Sequence, residues 1–145
     1  MMGPMSEHET PSGPDATTSA FTVIALRELD DVAPASGFED TMEARFARAA
    51  LGCRRIGISL QRIFPGAQQP FAHRHADDEE IYVAVAGSGR ARIDDELVEL
   101  RPWTALRVSP TAVRSFEAGE DGLELLAFGS HTEGDGEVLD APAAG

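Results

Sequence analysis

The stretch FAHRHADDEE, residues 71 to 80, holds the side chains best suited to chemistry. His73 and His75 are two residues apart, so on an extended segment both imidazoles face one way while Arg74 faces the other. A carboxylate reaching the same point from an adjoining strand would complete a two-histidine, one-carboxylate set. Such a set leaves coordination positions open for water or substrate and suits Fe(II), Mn(II), Zn(II) or Ni(II). The bland alternative is a charged, solvated turn. The acidic run Asp77 to Glu80 lacks the glycine-centred twelve-residue loop of a calcium-binding EF-hand.

Around the histidines, Gly66 precedes His73-Arg74-His75 by six residues, Glu80 follows after four, and Gly87 after six more. This stretch resembles the first motif of the cupin superfamily. The resemblance implies Glu80 as the third metal ligand, with Glu79 pointing away and Asp77 and Asp78 in the solvated turn. It covers roughly Gly66 to Gly129. The second cupin motif is similar to Val-Ser-Pro-Thr-Ala-Val-Arg, residues 108 to 114: Val108, Ser109 and Pro110 fit, Thr111 replaces the usual glycine, and Arg114 replaces the histidine that usually supplies a fourth ligand.

Arginine has no lone pair to donate and stays protonated, so Arg114 cannot ligate a cation. Two expectations follow. Either His73, His75 and Glu80 hold a divalent metal while Arg114 binds the carboxylate or phosphate of a substrate through its planar fork, or the metal has been lost and Arg114 pairs with Glu80 inside the barrel.

Tyr82 shares strand parity with Glu80 and is a further substrate-binding candidate, with core packing as its simpler role. Gln61 is a third, because one of Gln61 and Arg62 must face inward and Arg62 can reach out to water. Phe71 and Phe116 read as core. Trp103, after Arg101-Pro102, reads as a turn residue partly buried at a subunit contact. Gly87-Ser88-Gly89 reads as a tight turn, since no helix follows to make a phosphate site.

The elements that must position these groups read as strands. FTVIALREL (21–29) is a candidate first strand. Residues 43–47 follow as a second, with a helical turn at 49–52. RRIGISLQRIF (54–64) stops at Pro65-Gly66, and EIYVAVAG, GRARID, ELVEL, TALRVS, RSFEA and LELLAFG come in quick succession, with Asp94-Asp95 as a hairpin tip. The expected fold is all-β: a single-domain cupin-like jelly roll, or double-stranded β-helix barrel, over residues 21–130. Residues 1–20 and 131–145 are rich in Pro, Gly, Ser, Thr and acid and read as disordered or flexible tails.

At 145 residues one domain is expected. With 25 acidic against 12 basic residues and a net charge of −13, the chain should repel nucleic acid and anionic membranes. Every basic side chain is Arg, which excludes Schiff-base chemistry on lysine. Cys53 is the only cysteine, and no secretion signal is apparent, so a cytoplasmic protein is the expectation. The small-molecule chemistry implied by the cupin resemblance is that of an oxygenase, isomerase or lyase; a non-catalytic binding or sensor module is the alternative. Family members often pair through N-terminal strands, which implies a homodimer. No nucleotide cofactor is expected.

Overall fold

Residues 56 to 63 alternate except at Leu60, which is buried, and the computed structural model, which describes residues 20–142, shows what the alternation does. In β2 (Ile56–Ile63) the side chains of Ser59, Gln61 and Ile63 turn inward, with Gly57 buried on the same parity, while Ile56, Ile58 and Arg62 face out. β2 pairs on one side with β1 (Met42–Phe46) and on the other with the second half of β7 (Arg114–Ser130). Between β1 and β2 lies α1 (Arg48–Leu51), closed by Gly52 in the left-handed conformation at φ 74°.

The remaining strands are β3 (Phe71–His75), β4 (Glu80–Ile93), β5 (Glu96–Leu100), β6 (Ala105–Val108) and β8 (Gly136–Asp140). β4 and β7 run antiparallel over their whole length and bend together, so each belongs to two faces of a curled sheet. The first half of β4 lies beside the second half of β7, with β6 and β2 outside them. The second half of β4 lies beside the start of β7, with β5 on one side and then β3 and β8 on the other. The two faces enclose one apolar core that includes Met42, Ile63, Tyr82, Leu100, Phe116, Leu123 and Leu125. Phe71 stacks on Phe38 at 5.6 Å between centroids, and Tyr82 packs on Phe116 at 4.7 Å.

Gly87-Ser88-Gly89 is no turn between strands: it is the register shift at which the continuous β4 bends. A Cβ on Gly87 would lie 2.0 Å from the Gly122 carbonyl oxygen, so the two backbones meet only because glycine stands there. For the same reason RSFEA and LELLAFG form one strand. Asp94 does turn the β4–β5 hairpin, at φ 51°.

Two expectations about the ends change. Residues 21–29 make no strand; Leu26–Glu28 is a short 3-10 turn, and Arg27 pairs with Glu124 at 2.8 Å. The stretch from His131, expected as a tail, instead carries β8, which pairs residue by residue with β3. Polar composition misleads there because backbone pairing with β3 docks the edge strand, with Val138 packed against the core. The proposed N-terminal tail falls, up to residue 19, outside the described residues.

Candidate metal centre

Strand parity places the site. On β3, Arg74 faces out to pair with Glu137 at 2.7 Å, and His73 and His75 face the interior with side chains 18% and 15% exposed. β4 begins opposite them, so that Glu80 and Tyr82 point inward from the other face. Gly129, the partner of Glu80, has no room for a side chain: a Cβ there would lie 2.0 Å from the Glu79 carbonyl oxygen. Arg114 starts β7 as the register partner of His73.

Four groups converge on one oxygen, Glu80 Oε1. His73 Nε2 and His75 Nε2 each lie 3.3 Å away, the Tyr82 hydroxyl donates a short hydrogen bond to it, and Arg114 Nη2 is at 3.6 Å. Burial alone would raise the Glu80 carboxyl, but His73, His75 and Tyr82 outweigh it and hold the group far below the usual carboxylate range. Burial lowers His73. It also pulls on His75, but Glu80 and Asp135 overcome it, and the net shift of His75 is upward. Burial and the Glu80 charge raise the Tyr82 phenol well above 10.0, so it remains a donor.

Donors bound at about 2.1 Å to one divalent ion sit about 3.0 to 3.4 Å from each other. The 3.3 Å separations of both Nε2 atoms from Glu80 Oε1 match that spacing, and the three ligand atoms share one cluster. His75 Nε2 also lacks a well-formed hydrogen bond among the described residues, as an imidazole kept for a cation should. The residues therefore fit a metal bound by His73, His75 and Glu80.

Arg114 is fully buried. Its Nη1 donates to the carbonyls of Pro110 at 3.0 Å and Ala112 at 2.8 Å, whereas Nε and Nη2 make no well-formed hydrogen bond among the described residues. One edge of the fork is anchored in the wall, and the other is offered to the interior. Gln61 is also interior, yet its hydrogen bonds run to Ser59 at 3.1 Å and Gln69 at 3.3 Å rather than to the histidines. Trp103 is 76% exposed.

Residues missed by the sequence reading complete the surroundings. Asp78, expected in a solvated turn, is buried and accepts hydrogen bonds from Ser130 Oγ, Thr132 N and Thr132 Oγ1. Asp135 Oδ2 lies 3.3 Å from His75 Nδ1. Neither was legible, because only the docking of β8 brings residue 135 beside residue 75.

No family model matches the chain, and no curated protein sequence matches it either. Solved structures do. A cupin protein from Bacteroides fragilis superposes with a TM-score of 0.64 at 22% identity, over 86% of this chain and 92% of that one. The polyketide cyclase RemF from Streptomyces resistomycificus gives 0.57 at 16% identity, over 72% and 73% of the two chains. Oxalate decarboxylase from Bacillus subtilis gives 0.58 at 20% identity, over 67% of this chain and 28% of that one. The chain thus has the cupin fold, a β-barrel with a His-His-Glu cluster inside it.

Proposed function

We propose that the protein binds a small carboxylate-bearing metabolite in the barrel, between a divalent metal on His73, His75 and Glu80 and the free edge of Arg114. The observation that carries this reading is the fully buried guanidinium with two nitrogens uncommitted beside the ligand cluster. A buried cation with unmet donors is costly unless an anion meets it, and a carboxylate matches a guanidinium fork in shape and charge. When bound, the metal would act as a Lewis acid on a substrate carbonyl or hydroxyl, the basis for oxygenase, isomerase or lyase chemistry. Arg114 orients the anionic end, and Tyr82 holds Glu80 in place through its hydroxyl.

A second reading keeps anion binding at Arg114 but not the metal, as a binding or sensor module. The Arg114–Glu80 approach at 3.6 Å favours it, since the guanidinium already neutralises the acid. Elemental analysis of protein purified without tag or chelator separates the two. Stoichiometric Fe, Mn, Zn or Ni that disappears in His73→Ala supports the metal site; metal-free protein that still binds malonate supports the module. Protein that binds neither metal nor malonate overturns both.

We further propose a homodimer. Ile58, Phe128 and Ile81 are register partners across β2, β7 and β4 on the outward face, with Ile56 57% and Phe128 36% exposed at its edge. A contiguous apolar face of this kind fits a second copy of the chain better than water. Phe128→Asp should yield monomer in sedimentation; unchanged mass, or a monomeric parent, removes the proposal. Among the described residues no helix is long and apolar enough to cross a membrane, and with one half-buried thiol, Cys53, the cytoplasm is the location we propose.

A further inference from the structure

The two histidines are chemically unequal. Neither Nδ1 makes a well-formed hydrogen bond among the described residues, but His75 Nδ1 lies 3.3 Å from the Asp135 carboxylate, whereas no carboxylate pairs with His73 Nδ1 among them. The Asp135 side chain is 4% exposed and held from several directions. Its Oδ1 accepts from Asp77 N at 3.0 Å and its Oδ2 from Asp78 N at 2.9 Å, while its backbone carbonyl accepts from Ala76 N at 3.1 Å. The turn that follows His75 thus clamps the carboxylate against the ring of that same residue. Gly136, paired with His75, lies against the same ring, where a Cβ would make ordinary van der Waals contact with His75 Cε1 at 3.4 Å.

His75, Asp78 and Asp135 also lie close enough together to suggest a second cation site. Their surroundings argue against it. The Asp78 oxygens are met by the Ser130 and Thr132 hydroxyls and the Thr132 amide, and those of Asp135 by the Asp77 and Asp78 amides. Hydrogen-bond donors aimed at the oxygens would repel a cation.

We propose that Asp135 is a positioning residue: it keeps a proton on His75 Nδ1 and thereby leaves the Nε2 lone pair for a cation held among His73, His75 and Glu80. A carboxylate behind a ring nitrogen fixes tautomer and orientation and makes the opposite nitrogen a better donor. Through β8, the C-terminal segment is then part of the site. The consequence for metal affinity rests on the metal reading above; the placement of the proton does not.

The test uses the full chain without metal, with 15N-labelled histidine. Long-range nitrogen–proton NMR should show a proton on His75 Nδ1 protected from exchange, lost in Asp135→Asn and kept in Asp78→Asn, which disturbs the same turn without touching the ring. Absence of that proton in the parent, or its survival in Asp135→Asn, overturns the proposal. In Zn(II) competition titrations Asp135→Asn should bind about 10- to 100-fold more weakly, with Asp78→Asn unchanged. Equal losses in both variants that follow their melting temperatures would make Asp135 merely structural and overturn the inference. A parent that binds no Zn(II) counts against the proposed function and leaves the NMR result to decide on Asp135.

Discussion

Arg114 Nη2 lies 3.6 Å from Glu80 Oε1, and Arg114 is fully buried. Removing the acid would leave a cation in the interior with no counter-charge. Glu80→Gln in chelator-treated protein is therefore expected to destabilise the fold by about 3 kcal/mol, read as a lower urea midpoint at unchanged slope. A loss below about 1 kcal/mol would mean that solvent screens the pair.

Arg114→Lys keeps the charge and removes the fork. Lysine offers a point charge where a carboxylate needs two parallel donors, so malonate affinity should fall about tenfold, or about 1.4 kcal/mol. Isothermal titration of both proteins checks this; equal affinities would take Arg114 out of the anion site.

The opposite shifts of the two histidines give opposite pH slopes without metal. His75 holds its proton more tightly when folded, so its contribution is complete below its ordinary value of 6.5 and is lost as pH rises through the folded value. His73 releases its proton more readily when folded, so its contribution is present above 6.5 and is lost as pH falls toward the folded value. His75→Gln should flatten the alkaline side of melting temperature against pH, and His73→Gln the acid side. Identical profiles for the two variants would contradict the inequality of the rings.

Gly129→Ala forces a Cβ to within 2.0 Å of the Glu79 carbonyl, where only backbone movement gives relief. A cost of about 3 kcal/mol is expected, together with weaker Zn(II) binding because Glu80 is the residue displaced. Parent-like stability and Zn(II) affinity would show that β4 shifts freely.

Trp103 is the one tryptophan in the sequence; it stands at φ 69° and 76% exposed. A bulky side chain in the left-handed region is strained, so Trp103→Gly should raise stability by about 0.5 to 1 kcal/mol. A loss of stability would mean that the ring makes contacts in a dimer, and a blue-shifted parent emission would point the same way.

Much of the barrel was legible because strand alternation and turn residues are local signals. The parity of His73 and His75, the inward turn of Glu80 and the outward turn of Glu79 follow from a side-chain period of two. The same period gave Gln61 an inward face beside Ser59 but not its second partner, Gln69, which lies beyond the strand. Ile56 and Ile58 face out, because small and polar residues of β2 line the interior. The bend at Gly87 was mistaken for a turn, since a break in pattern looks alike in both.

The sequence by itself determined an all-β chain, the pair of imidazoles on one face, and an arginine where a ligating histidine was expected; all three depend on residue type and near-neighbour spacing. Only the tertiary structure decided that Arg114 is anchored by Pro110 and Ala112 with one edge left open, and that Asp135 stands behind His75. The Arg114 anchors lie only two and four residues back along the chain, but the approach of its open edge to Glu80 and that of Asp135 to His75 join distant residues through sheet pairing. No local propensity encodes them; they exist only when β3, β4, β7 and β8 have closed around one interior.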